Sequence, residues 1–304
     1  MRIKSASLFY LLRHVLCLLV CSAYLVPSHA AAMSSTPPSA PDPEASPSSA
    51  PLVDWCKRVT PRLPKVSLND CRAAKLSTTG VNSVQGLALM QRDFAADSKR
   101  KHPLRILLIG GIHGDEHTAS SIVFKWMETL QKNRSQEFQW KVVPIVNPDG
   151  LLARKRVNAN GIDLNRNFPT PEWDKEARSY WEKKTKSDPR RFPGNAPISE
   201  PESRWVFETM KSFKPNVIIS VHAPFGVLDL DGPAKPPSRF GRLVYNRVGV
   251  YPGSLGNYSG LHQEIPVLTI ELPHAIKMPP DAEVARIWQD MQLWIRNNVA
   301  VRKK

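Results

Sequence analysis

Residues 104–116 read LRILLIGGIHGDE. The apolar run Leu104–Ile109, interrupted only by Arg105, is too short for a core helix and has the length of a buried strand. Two glycines stop it, and an amphipathic stretch follows at Thr118–Lys132. Strand, tight turn and helix therefore succeed one another within thirty residues. Three more runs have the same character: Lys141–Val146 (KVVPIV), Val217–Val221 (VIISV) and Val267–Leu272 (VLTIEL). Further helical patterns cover residues 200–213 and Asp281–Val299. Pro201 suits a first helical turn, and Asp281, after Pro279-Pro280, is placed to cap the last helix. The alternation predicts an α/β domain built on a mixed, mainly parallel twisted sheet, covered by helices on both faces. Such folds set their functional groups at strand ends and in the loops just beyond them.

Composition limits the function classes. The chain has 304 residues, 28 Pro, 4 Cys and 41% apolar residues, with 42 Lys+Arg against 27 Asp+Glu for a formal charge of +15. A wholly disordered chain, a multispan membrane protein and a disulfide-dense miniprotein are excluded. Residues 1–30 carry a basic start (MRIK), a short apolar core over Val15–Val26 and small residues, Ser28 and Ala30, before a cut. This is the pattern of a signal peptide. Its uninterrupted core of about 12 residues falls short of the roughly 20 that a membrane span needs. The expectation is export, to a periplasm with full secretion as the alternative, and no stable membrane span after cleavage. Three basic residues, Arg2, Lys4 and Arg13, lie in that segment, as do Cys17 and Cys21. Cys56 and Cys71 remain, and two cysteines in an exported chain suggest one disulfide. Residues 31–52 are rich in Pro, Ser and Ala and read as an extended tether. Residues 53–83 read as a short, disulfide-pinned lead-in, and 84–304 as the main folded domain. No basic helix, zinc finger or aromatic platform supports nucleic-acid binding.

Four polar anomalies fall at the strand ends. His113 and Glu116, three apart in a glycine-rich loop, can aim nitrogen and oxygen at one ion, and zinc takes such ligands at about 2.0–2.2 Å. Residues 147–168, NPDGLLARKRVNANGIDLNRNF, begin as a turn and then present Arg156, Asp163, Asn165 and Arg166 in a stretch too polar for a core. Arginine pairs there suit planar carboxylate recognition. His222 ends one apolar strand. Glu271 sits inside another, where an acid is costly unless paired or functional.

The ordered motifs GGIHGDE, NPDG, GIDLNRNF, SVHAP and LTIEL resemble the zinc carboxypeptidase family over residues 84–299, with its α/β/α sandwich fold. The resemblance implies one Zn2+ per chain held by His113, Glu116 and His222. It implies Glu271 as the general base acting on a zinc-bound water, and Arg156 as the oxyanion-stabilising arginine, with Arg154 as the neighbouring alternative. Asn165 and Arg166 match the pair that binds a substrate's terminal carboxylate, and Asp163 a carboxylate that orients the first zinc histidine. Tyr251 and Tyr258 both fall in the region of the family's mobile tyrosine. Asp115 stands where digestive members carry Arg, which argues against their extended cleft.

Within the family, SEPES at 199–203, HAPFGVLDLDGP at 222–233 and YPGSLGNYSG at 251–260 are similar to members that cut murein peptides. The implied bond is the amide between γ-D-glutamate and meso-diaminopimelate, a peptide substrate with a free carboxylate. Asp229 or Asp231 is then placed to meet the far amine of diaminopimelate. The alternatives are a general metallocarboxypeptidase acting on ordinary peptides and an N-acyl amino acid deacylase. A non-catalytic wall-binding module does not fit an intact ligand and base set. His117, His262 and His274 read as loop or helix-start histidines, and Trp126, Trp288 and Trp294 as core.

Overall fold

The computed structural model describes residues 50–133 and 135–300. The strands are β1 (Ser77–Asn82), β2 (Ala88–Phe94), β3 (Arg105–Ile109), β4 (Gln139–Val143), β5 (Val217–His222), β6 (Val227–Asp231), β7 (Arg239–Phe240), β8 (Leu243–Tyr245) and β9 (Val267–Glu271). They form one nine-stranded sheet in the order β1-β2-β4-β3-β5-β9-β6-β8-β7 among the described residues. Strands β4, β3, β5 and β9 run parallel at the centre, and β2 and β6 flank them antiparallel. The helices are α1 (Ala50–Val59), α2 (Leu68–Ala73), α3 (His117–Lys132), α4 (Pro148–Ala153), α5 (Trp173–Lys184), α6 (Pro201–Phe213) and α7 (Asp281–Asn298).

Alternation along each strand divides the core in two. Ile106 and Leu108 of β3, Val217, Ile219 and Val221 of β5, Leu228 and Leu230 of β6, and Leu268 and Ile270 of β9 face α1, α2, α3 and α7. The tryptophans of this layer are buried as expected, with Trp288 of α7 packed against Trp126 and Trp140. Leu107, Ile109, Ile218 and Val267 face the other way, toward α6 and the segment around Phe168 and Tyr258. The period of two then assigns Ser220, His222, Thr269, Glu271, Asp229 and Asp231 to that second face. Strand geometry alone gathers the polar residues on one side.

Several expectations are corrected. The run Lys141–Val146 ends as a strand at Val143, because Pro144 has no N–H for the ladder. Asn147-Pro148-Asp149-Gly150 is no simple turn. It opens α4, with the Asn147 side chain accepting from Gly150 N at 2.8 Å and Pro148 in the first turn. Asp281 does not cap α7; Pro280 takes that position and Asp281 instead binds Lys65 Nζ at 2.9 Å. The stretch judged too polar for a core is largely enclosed, with Asp163, Arg166 and Asn167 all buried. Pro201 does sit in the first turn of α6.

Cys56 and Cys71 are bonded, joining α1 to α2 across a separation of 15 residues. A loop of that size stabilises by about 3 kcal/mol in the loop-entropy account. The expected signal peptide, and the tether up to residue 49, lie outside the described residues; residues 50–52 open α1. No helix among the described residues is long and apolar enough to cross a membrane.

A buried acidic network ties the loops beneath the second face. Glu202 in α6 accepts from Val84 N at 3.3 Å and from Asn158 Nδ2 at 3.2 Å. Asp149 accepts from Ser83 Oγ at 2.7 Å and Gln85 N at 2.9 Å, and Glu200 accepts from Asn158 and Asn160. Burial, with the charge of Asp149 adding to it, pushes the Glu202 carboxyl up to about 7. The folded state thus takes up this proton before the unfolded state does. Its contribution is present below the unfolded value and falls away as pH rises toward about 7, by roughly 3 kcal/mol in total. Urea unfolding of wild type and Glu202→Gln across this range tests the assignment. The wild type should lose stability relative to the variant between about pH 4.5 and 7. Parallel pH profiles would refute it.

Candidate metal centre and catalytic site

The loop after β3 can lie flat against α4 because it is short of side chains. Gly111 adopts φ +60, and a Cβ there would strike Ser120 Oγ; a Cβ on Gly114 would overlap the backbone of Gly150 and Leu151. Gly114 N also donates to Arg156 O at 3.2 Å. His113 and Glu116 are thereby turned toward the carboxyl end of β5, where His222 stands opposite Glu271 in the β5–β9 register.

His113, Glu116 and His222 converge so that one ligand atom from each lies within 4.8 Å of the others, and all three are buried. His113 Nδ1 is 2.8 Å from Glu116 Oε1, and His222 Nδ1 is 3.1 Å from Glu116 Oε2. The two Nδ1 atoms lie 3.1 Å apart. Their outer nitrogens are held from behind: His113 Nε2 lies 3.2 Å from Asp163 Oδ1, and His222 Nε2 lies 2.9 Å from Ser220 Oγ. Outer acceptors of this kind fix the proton on Nε2 and leave Nδ1 with its lone pair directed inward. Two inward imidazole lone pairs and a carboxylate, enclosed together, are a donor set that fits zinc.

The electrostatics follow from burial against charge. Burial works to raise the carboxyl of Glu116, but His113 and His222 outweigh it and hold it below the ordinary range. Burial opposes ionisation of Asp163 too, and Arg156 and His113 overcome it, keeping the group well below the usual value. Glu271 goes the other way. Burial raises it, His222 offsets that only in part, and the charge of Glu116 adds to the rise. Its Oε2 accepts from Phe225 N at 3.5 Å. The result is a carboxyl of raised basicity beside the converging ligands.

Arg156 donates from Nε to Asp163 Oδ2 at 3.0 Å, and its Nη1 lies 3.4 Å from Glu116 Oε1. Arg154 is exposed and makes neither contact, so of the two arginines only Arg156 reaches the centre. Asn165 N donates to Asp163 Oδ1 at 3.0 Å, and its Oδ1 accepts from Leu255 N at 2.9 Å. Arg166 is buried, donates from Nη1 to Asn165 O at 2.7 Å and lies 4.4 Å above the Tyr251 ring. Its Nε is enclosed with no partner among the described residues. Burial pulls this guanidinium below its ordinary value.

The two tyrosines part company. Tyr251 faces Arg166 and donates its hydroxyl to Val248 O at 2.9 Å, whereas Tyr258 packs in the core against Phe168 and Phe207. So do the two aspartates of β6. Asp229 accepts from Leu230 N and Val248 N. Asp231 Oδ1 is buried without a partner among the described residues, and Gly256 and Gly260 leave room for its side chain. Burial, then Asp229, push Asp231 up to about 6. His117 opens α3, and His274 is an exposed loop residue; His262 is exposed but ends a short π-helical segment, Gly256–His262, rather than lying in a loop. Ser220 was not foreseen. Its signal lay in the strand period, since a residue two before His222 shares its face.

The zinc carboxypeptidase family profile matches residues 69–228. Murein peptide amidase A of Escherichia coli K12 is 32% identical over 126 residues, which cover 40% of this chain and 50% of that protein. The chain therefore spans about half the length of that curated relative. The protein of the same name from Vibrio campbellii is 28% identical over 201 residues, covering 62% of this chain and 79% of that one. The crystal structure of the murein-tripeptide amidase from Escherichia coli O157 aligns with a TM-score of 0.51 at 26% identity, over 72% of this chain and 91% of that chain. Carboxypeptidase A of Helicoverpa armigera shares the fold, with a TM-score of 0.56 at 15% identity over 75% and 71% of the two chains. Because the family profile runs through more than half of the residues, from α2 into β6, this protein belongs to the zinc carboxypeptidase family.

Proposed function

We propose that this protein is an exported zinc-dependent peptidase that hydrolyses the amide between γ-D-glutamate and meso-diaminopimelate in murein peptides. The observation that carries the reading is the convergence of His113, Glu116 and His222 beside Glu271. Zinc bound by these three residues supplies a Lewis acid for the scissile carbonyl and acidifies water. Glu271, with its raised basicity, takes the proton of the attacking water and delivers it to the leaving amine. Arg156, braced by Asp163, directs its guanidinium at the developing oxyanion. Arg166 and Asn165 receive the substrate's free carboxylate beside Tyr251.

The murein assignment draws support from the named relatives and from Asp231. A buried acid with an unpartnered oxygen is uncomfortable alone. It lies behind the 254–260 segment that also contacts Asn165, and so suits the far ammonium of diaminopimelate. Asp229 is occupied by two backbone N–H groups and serves the pocket wall. The Cys56–Cys71 bond favours an oxidising compartment such as the periplasm.

Four measurements test this reading. Glu271→Gln should keep zinc but lose turnover by about 10²-fold or more; full activity would remove Glu271 from the reaction. Asp163→Asn should weaken zinc affinity by about 10–100-fold in chelator competition, and unchanged affinity would deny it the orienting role. Wild type should release diaminopimelate from L-Ala-γ-D-Glu-meso-diaminopimelate and leave ordinary L-peptides intact. Asp231→Asn should lose its preference for diaminopimelate over alanine at that position. Equal cleavage of both peptide types by wild type points instead to a general carboxypeptidase.

A further inference from the structure

The stretch SEPES at 199–203 has no part in the chemistry described so far, yet it reaches both ends of the segment that carries much of the site. Glu200 precedes α6 and Glu202 lies in its first turn, and both are buried. Glu200 Oε2 accepts from Asn158 Nδ2 at 2.7 Å, and Glu202 Oε2 accepts from the same amide at 3.2 Å. The oxygen of that amide closes a turn: Asn158 Oδ1 accepts from Asn160 N at 3.1 Å and from Ile162 N at 3.0 Å. Arg156 enters this turn and Asp163 leaves it, and Arg156 Nε donates to Asp163 Oδ2 at 3.0 Å. At the far end, Ser203 Oγ donates to Asn167 Oδ1 at 2.6 Å, and Asn167 Nδ2 donates to Ser199 Oγ at 3.2 Å. Asn167 directly follows Asn165 and Arg166. Its Nδ2 also donates to Pro193 O and Ala196 O. Ser199 Oγ donates to Glu200 Oε1 at 2.8 Å, which joins the two grips.

Two buried asparagines, Asn158 and Asn167, thus bracket Asp163, Asn165 and Arg166, with Arg156 just outside the first. Apart from the single turn Leu164–Arg166, no helix or strand holds this stretch. Buried amides must keep their donors and acceptors met, so here side chains supply the fixing that a ladder gives elsewhere. The helix they grip is rigid, since Val206 and Met210 of α6 are packed in the second core. Catalytic groups need such support, because a displacement of about 1 Å is already costly. We infer that Asn158 and Asn167 are positioning residues held by the SEPES stretch: Asn158 sets Arg156 and Asp163, and Asn167 sets Asn165 and Arg166. On the roles proposed above for those four side chains, on which this inference rests, the two grips serve different steps. The first governs the oxyanion arginine and the carboxylate behind His113. The second governs recognition of the substrate's free carboxylate.

The test compares Asn158→Ala with Ser203→Ala in the zinc-loaded protein, by kinetics on L-Ala-γ-D-Glu-meso-diaminopimelate and by chelator competition for zinc. Asn158→Ala should lower kcat by about 10²-fold, the cost of shifting a catalytic group by about 1 Å. It should also weaken zinc affinity about tenfold, the lower end for groups that orient metal ligands, and leave KM near wild type. Ser203→Ala should raise KM about tenfold, the scale of one hydrogen bond to a charged group, with kcat and zinc affinity unchanged. Glu200→Gln cuts the same link as Asn158→Ala more mildly and should move kcat and zinc affinity in the same direction, so the first grip stays readable if Asn158→Ala does not fold. A fall in kcat together with a rise in KM in both variants, as general loosening would give, overturns the inference. So do wild-type kcat and zinc affinity in Asn158→Ala. If the wild type leaves the tripeptide intact, the murein reading fails, and zinc affinity decides the positioning role on its own. Weaker affinity in Asn158→Ala than in Ser203→Ala supports it; equal affinity overturns it.

Discussion

An ionised carboxylate can be buried only where donors and positive charge surround it, and Glu116 meets that condition. His113 and His222 face its two oxygens, the backbone N–H of Ala223 donates to one, and Arg156 approaches the other. Each of these groups is anchored elsewhere. Asp163 fixes both His113 and Arg156, Ser220 fixes His222, and the β5–β9 register sets Glu271 beside them. Removing a charged member leaves its partner uncompensated in a buried setting, so the centre behaves as a unit. The glycines at 111 and 114 are part of the same constraint, since without them the loop could not bring Glu116 into the ring of donors.

Much of this was legible in the chain. Central strands show as short apolar runs, and the His113–Glu116 pair, His222 and Glu271 stand out because they interrupt or end those runs. What escaped has physical reasons. Strand β4 was read too long because Ile145 and Val146 are buried without belonging to the ladder. Residues 147–168 read as too polar for a core because their polarity is satisfied internally, by an arginine bridging two carboxylates and by asparagine side chains that replace backbone ladders. Helix α5 carries a highly charged sequence with few apolar residues, and β7 and β8 are strands of two and three residues at one margin of the sheet, so neither offers a strong periodic signal. The roles of Tyr251 and Tyr258 could not be separated by position. Packing separates them, since one ring meets a guanidinium and the other meets two phenylalanines.

The site has two chemical characters. The buried part pairs opposite charges closely and is self-contained. Nearby in the fold, Arg166 Nε, Asp231 Oδ1 and His117 Nε2 are each buried without a partner among the described residues. Groups left unsatisfied at the rim of a satisfied centre are natural places for a ligand to complete the hydrogen bonding. Among the described residues, the basic side chains therefore divide into those held in ion pairs and a few left without one.

Alternation along the sheet has a consequence for how such a protein can change. Ile270 and Glu271 are neighbours, yet one belongs to the tryptophan-lined core and the other to the reaction centre. Inserting or deleting one residue within β5 or β9 would exchange them, burying an acid in hydrocarbon and emptying the centre. Those strands are closed to length variation. Loops carry no ladder register and can change length while the sheet stays paired, although 246–255 is tied to the site through Tyr251 and Leu255, and 272–280 to the end of β5 and the start of α3 through Leu272 and Ala275. Loop sequence can therefore diverge while the converging residues stay fixed, held by packing on the opposite face.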